Sequence, residues 1–410
     1  MSSTSVKSSD APTEQRTPMV FGLIAAAIAL LIAVYFVPIW WVSLTAPNYP
    51  PEAFPDGVRI HFHMNGVFNG CEKVEKAEIQ EDEALDCVHE MDTINHYVGM
   101  YPIAAGGVVE RAFSPFIVAL FAVMLVGFAL RNARLRLVVL GIGFAAITVW
   151  MLLTYYGGGG LRLQSGGYVE ALVTSLDQDA GSAEVAKPPG AALSPGEALI
   201  AQLKAELEGA TDTPSEGASP DQSGAADGLS QKERLLENLR VTYERDQQRR
   251  PANEREPWAG SGSQVLGWHY AKSLGRYFNN PAEIRPMAAA MSIAGHGAAV
   301  FLIAAMLLLL WGARRSDGLL YWLLILVPMA LPLFFLIDYS AWLWWYGHNL
   351  NDMGAFTVKP FMPTVFGDGK VAQFSTHSYP YWGFGLMLVA SVLLALAALL
   401  RRKQLREARS

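Results

Sequence analysis

Six apolar runs, at 19–42, 113–130, 137–156, 287–311, 319–337 and 383–400, dominate the chain. Each is close to the roughly 20 residues that a helix needs to cross a bilayer core. Lipid offers a backbone no hydrogen-bond partner, so such runs are expected to be helices. With 52% hydrophobic and 17% charged residues among 410, the composition is that of an integral membrane protein. The expected fold is all-α membrane, with six transmembrane helices.

Charge orients the helices, because Lys and Arg collect in short cytoplasmic loops. Lys7 and Arg16 precede the first run, and Arg131, Arg134 and Arg136 separate the second from the third. Arg314 and Arg315 separate the fourth from the fifth, and Arg401, Arg402 and Lys403 follow the last. Both termini are therefore expected in the cytoplasm of a bacterial inner membrane. The chain then divides into a disordered tail (1–18), a first transmembrane helix (19–42), a periplasmic cap loop (43–112), helices two and three (113–156), a long periplasmic loop (157–286), helices four and five (287–337), a periplasmic loop (338–382), and a sixth helix with a basic tail (383–410). The first run exceeds the apolar core of a secretory signal and lacks a clean small-residue cleavage site, so it reads as an uncleaved anchor.

The cap loop should fold. VRIHFHM alternates, which places His61 and His63 on one face of a strand, and CVHEM repeats the pattern with Cys87, His89 and Met91. In the long loop, residues 176–260 are poor in aromatics and rich in Ala, Gly, Ser, Pro and acids, so most of that stretch is expected to be disordered. Two helical pieces stand out there: Ser194–Glu208, and a second from Ser230 to about Arg249, opened by Ser230 and Glu233. Trp40, Trp41, Tyr49, Tyr101, Trp342, Trp344, Trp345, Tyr346, Tyr379, Tyr381 and Trp382 flank the outer span ends as an aromatic belt.

Seven of the eight histidines and both cysteines fall in the outward loops. Cys71 and Cys87 have two readings: a disulfide stapling the cap, or thiolate ligation of copper, which Cys, His and Met suit better than hard ions. His96 and Met100 are spaced i, i+4 and on a helix would share a face. His296 is the one histidine inside a span, roughly 15 Å from Pro286 and near mid-membrane; it is either a packing residue or a functional one. Asp338 is placed at an outer helix end, which leaves the spans almost without acids and weakens an ion pump. The sequence contains no GxSxG, HExxH, Walker or dinucleotide motif and no CxxCH. A net charge of -6 argues against nucleic acid as a partner.

Three stretches, TINHYVGMYPI (93–103), WWYGHNLNDMGAF (344–356) and KPFMPTVFGDGKVAQFSTHSYP (359–380), resemble the signature segments of a family of polytopic membrane proteins encoded in nitrous-oxide-reductase gene clusters, especially those of the second clade of that enzyme. The six-span layout and APNYP at 46–50 fit as well. The resemblance implies that His96, His348 and His377, with Met100, form the most relevant set, as copper or docking residues. Asn95, Tyr97, Gly99, Gly347 and Asn349 are family-like positions of structural character. His61, His63, His89, Met91 and His296 are secondary metal candidates. The implied role is a non-catalytic accessory protein for nitrous oxide reductase or its maturation proteins. The alternatives are an electron-transfer subunit drawing on quinol through a b-type haem or copper site, and a scaffold without metal.

Overall fold

The computed structural model describes residues 11–72, 85–177, 230–316, 318–371 and 373–407. It contains five helices long and apolar enough to cross a membrane, or six if a bent pair counts as one crossing. Helix α1 (Ala11–Phe36) meets Pro38 and gives way to strand β1 (Trp40–Thr45). Strands β2 (Val58–His63) and β3 (Gly66–Asn69) form a hairpin, followed by helix α2 (Cys87–Tyr97). Helices α3 (Val108–Ala129) and α4 (Ala133–Tyr156) pack side by side. Helices α5 (Gly166–Asp177), α6 (Gln231–Gln248) and α7 (Gly262–Leu274) cluster beside the sheet. Then come α8 (Pro281–Gly312), α9 (Leu319–Met329), α10 (Leu331–His348), β4 (Gly367–Val371), β5 (Phe374–Pro380) and α11 (Trp382–Glu407).

The first run is shorter as a helix than expected. Proline supplies no N–H to continue a helix, and beyond Pro38 the β-prone Trp40, Trp41 and Val42 enter a sheet instead of the bilayer. That sheet is antiparallel with strand order β3-β2-β1-β5-β4, so it joins the segment after α1 to the segment before α11. Trp40, Val42 and Leu44 share its inner face with Phe62, Ile60 and Val58 of β2 and with Ser378 and Thr376 of β5. Trp40 is 1% exposed, and its Nε1 donates to Ser378 Oγ at 2.8 Å. Since β1 follows α1 and β5 precedes α11, pairing the two strands also lays the first and last helices together.

The fifth run is broken. Pro332 has no N–H for the carbonyl of Pro328, and α9 and α10 meet at 64°. Helix α10 continues to His348, so Asp338 lies within the helix and not at its outer end. CVHEM, expected as a strand, is the start of α2: Asp86 caps it by accepting from Val88 N and His89 N, and Cys87, Val88, Met91 and Ile94 bury one helical stripe.

At the opposite end two buried arginines clasp the bundle. Arg136 donates to the carbonyls of Ala313 (2.8 Å) and Leu130 (3.3 Å), and Arg401 donates to Leu130 O (3.3 Å) and Tyr321 Oη (2.9 Å). Tyr321 in turn donates to Phe128 O at 3.1 Å. The arginine-flanked loops thus gather at one end and the sheet stands at the other.

In the long loop, α6 starts where Ser230 and Glu233 close a capping box and runs to Gln248. It is docked: Leu239 and Tyr243 are buried, and Trp268 Nε1 donates to Asp246 at 3.1 Å. The helix expected from Ser230 is thus present and packed along α5, and residues 250–260 are ordered against the expected disorder. Ser194–Glu208 lies outside the described residues. Of the expected aromatic belt, Trp344 and Trp382 are 52% and 74% exposed, but Trp40, Tyr101 and Tyr346 are buried.

Candidate functional site

Cys71 and Cys87 are joined in a disulfide, with Cα atoms 6.0 Å apart, which ties the β2–β3 hairpin to α2. Of the two readings of this pair, thiolate ligation of copper is set aside in this state, because both sulfurs are spent on each other.

The segments that carry the resemblance meet in space. Asn351 N donates to Gly99 O at 2.8 Å, Phe356 N to Tyr97 O at 2.9 Å, and Phe361 N to Gly347 O at 3.0 Å. Gly99 has φ +83°, and a Cβ there would stand 2.6 Å from Asn351 O. A Cβ on Gly347 would collide with Phe361 O. Tyr346 Oη donates to the carbonyls of Pro102 and Ile103 at 3.0 and 2.9 Å. Asn95 O receives Met100 N at 3.0 Å, and Asn349 Nδ2 donates to Trp345 O at 2.9 Å. Beneath lies a polar knot: Asn351 Nδ2 donates to the exposed Glu283 (2.9 Å) and to buried Tyr101 Oη (3.2 Å), and buried Asp92 pairs with Arg276 at 3.3 Å while accepting from Ile103 N at 2.7 Å. Burial outweighs both partners of Asp92 and pushes its carboxyl up to about 7.

His96, His348 and His377 sit on separate partners. His96 stacks on Tyr277 with centroids 4.7 Å apart, and its Nδ1 lies 3.0 Å from Thr93 O. His348 stacks on Trp344 and holds Nδ1 2.9 Å from Trp344 O. His377 Nδ1 is 2.6 Å from Asp368 Oδ1, and this bond holds the Asp368 carboxyl below its usual range. Each Nδ1 faces an acceptor, so it carries the proton and Nε2 keeps the lone pair; in His377 that nitrogen also lies 3.5 Å from Thr45 Oγ1, a long contact that a copper ion would displace. Helix α2 stops at Tyr97, so Met100 does not share a helical face with His96; it is 8% exposed and turned into the bundle.

His61 and His63 do lie on one strand, as the alternation requires. His61 stacks on Tyr381 (5.2 Å) and His63 on the edge of Phe68 (4.9 Å). Burial lowers both, His63 to about 4. His89 lies in α2 beside buried Met91. His269 is buried between α5 and α7, with Nε2 2.7 Å from Ser175 Oγ, and burial lowers it to about 3. His296 stacks on Tyr156 and lies 3.0 Å from its hydroxyl. Tyr156 closes α4, so His296 is level with the outer end of that helix and not mid-span.

Among the described residues no group of three or more His, Cys, Asp or Glu could hold a metal.

A cavity of 720 Å³ lies under the sheet between α3 and α10. Its walls are apolar, including Ile60, Phe62, Ile117, Phe121 and Phe335, and its polar end holds Glu110, Arg111 and Asp338. The carboxyls of Asp338 and Glu110 line the same end, and Glu110 receives Trp342 Nε1 at 3.4 Å. Sequence reasoning missed this pair, because α3 begins at Val108 and α10 ends at His348, which brings both acids inside helices assigned as loop. The available signal was local: Pro102 and Gly107 mark a break before α3, and apolar spacing continues past Asp338 to Trp345.

No protein-family model, no curated protein and no solved structure matches the chain.

Proposed function

We propose that this polytopic membrane protein is a bacterial inner-membrane accessory factor of nitrous oxide reduction, which supports copper-site maturation or assembly of the enzyme at its periplasmic face. The charge rule supplies that orientation, placing the sheet outside and the arginine clasp in the cytoplasm. The observation that carries the reading is the shared setting of His96, His348 and His377: each has Nδ1 fixed by an oxygen acceptor, so Nε2 holds the lone pair, in His377 with a long contact of 3.5 Å to Thr45 Oγ1. Single soft-to-borderline donors on a rigid frame suit brief contact with copper in transit, or with a metal-carrying partner, better than permanent storage. The frame is the joint formed by the three family-like segments, whose close backbone approaches hold the loops in one arrangement.

The test is made in cells. Nitrous oxide reductase is recovered from a strain lacking this gene and from one carrying His96→Ala, His348→Ala and His377→Ala. Its copper content is measured, together with its activity with an artificial electron donor. Both should fall in both strains. A fully copper-loaded enzyme that is active with the artificial donor would overturn the reading and point to electron supply instead.

A further inference from the structure

Helix α10 rests on α9 and α11, but the sheet-side cavity holds it apart from α3. At 720 Å³ this space is within the range of pockets that enclose a drug-sized molecule. Phe334 and Ile337 line it and are also 50% and 58% exposed on the outside of the bundle, so the mouth opens on the lipid side. An occupant therefore arrives through the membrane and carries an apolar body.

The polar end restricts the head. Glu110 and Asp338 line this end together, and two carboxyl groups that share a site resist carrying two negative charges. Arg111 lines the same end, with Nε and Nη2 donating to Gly107 O (3.1 Å) and Ala104 O (2.6 Å). The two charges offset each other. A phosphate head would add an uncompensated anion beside the acids, and an ammonium head would add a cation beside Arg111; burying either unpaired is costly. A neutral head that donates to carboxylate oxygen fits. Trp342, which donates to Glu110, and Tyr346 line the cavity, and their ring faces and edges suit a flat aromatic group.

We infer that the cavity between α3 and α10 binds a membrane quinol, with its hydroxyl-bearing ring against Glu110 and Asp338 and its tail leaving past Phe334 and Ile337. The inference is independent of the copper reading, since none of His96, His348 and His377 lines the cavity.

The full-length protein is placed in nanodiscs of phosphatidylglycerol and titrated with reduced decylubiquinone, following intrinsic tryptophan fluorescence. Wild type should show saturable quenching. Ala341→Phe, which narrows the lining without changing the tryptophan count, and the double variant Glu110→Leu/Asp338→Leu should each weaken the apparent affinity about tenfold or more. Dodecanol, which has the hydroxyl and the chain but no ring, should compete poorly. Quenching that is linear and identical in all three proteins would mean a gap filled by bulk lipid and would overturn the inference. So would saturable binding abolished by replacing the phosphatidylglycerol with phosphatidylethanolamine, which would assign the cavity to a phospholipid. Variants are compared only where melting temperature and monodispersity match wild type; Ala341→Phe, which leaves both acids in place, covers failure of the double variant to fold.

Discussion

Gly347 ends a helix against a backbone and not against side chains. A methyl group there would collide with Phe361 O, an atom already committed to the loop that delivers β4. Gly347→Ala should therefore cost on the order of 2 kcal/mol, the scale of overpacking a tight site, and should appear as a lowered melting temperature in detergent; an unchanged value would mean that the loop moves freely. His269 makes a second case. Its ring is held neutral, with a folded pKa near 3 against an ordinary 6.5. The unfolded chain takes up the proton first, so the stabilisation from the neutral ring is complete above pH 6.5 and is lost as pH falls toward 3. The loss is at most about 4–5 kcal/mol over that window. Asp92, pushed up to about 7, acts in the opposite sense: its contribution is complete below the ordinary carboxylate value and is lost as pH rises through 7. Denaturation at stepped pH should show a shallower loss between pH 6 and 4 for His269→Gln than for wild type. Parallel curves would show that the ring titrates equally in both states.

The Cys71–Cys87 bridge closes a short stretch, with a sequence separation of 16, across the boundary between hairpin and α2. Replacing both with serine should destabilise the cap by about 3 kcal/mol, read as faster proteolysis of the first outward loop while the bundle helices stay protected; equal protection would mean that α2 is held by its buried stripe alone. The helices of the bundle were legible because hydropathy reports directly on a lipid solvent, and α6 was legible because Ser230 and Glu233 state their capping chemistry locally. Two kinds of feature were not. Trp40 to Val42 read as the end of a span because their apolarity serves a sheet core as well as a bilayer, and only Pro38 marks the change. Cys87, His89 and Met91 alternate, but Val88 and Ile94 complete a helical stripe that outweighs the alternation. The joint of the three family-like segments was visible as a set of motifs and not as a contact, since pairings such as Gly99 with Asn351 are written in no local pattern.

The chain closes on itself through its ends. Helices α1 and α11 pack together, and their sheet-side continuations β1 and β5 are paired from Trp40–Pro380 to Thr45–Ser375. Further inward, α3 packs on α8 and α9, while Arg136 and Arg401 hold carbonyls on loops from both halves. Residues 11–177 and 230–407 are thus joined by a central strand pair, several helix faces and a buried arginine clasp, none of which needs the connecting peptide to persist. A protease site placed between 178 and 229 and cut after membrane insertion should leave two fragments that copurify in mild detergent, because separating them would expose the edges of β1 and β5 and strip buried Arg136 and Arg401 of acceptors. Breaking a buried charge arrangement costs roughly 3–5 kcal/mol when one side is left unpaired. Replacing both arginines with methionine tests which connection dominates. If the clasp matters most, the cut fragments separate; if the β1–β5 pair and the α1–α11 face matter most, they stay together with a lower melting temperature. We expect the second outcome, because the strand pairing and the helix face extend over many residues and the clasp over two. Fragments that part even with the arginines intact would show that the halves are bound only by the chain between them.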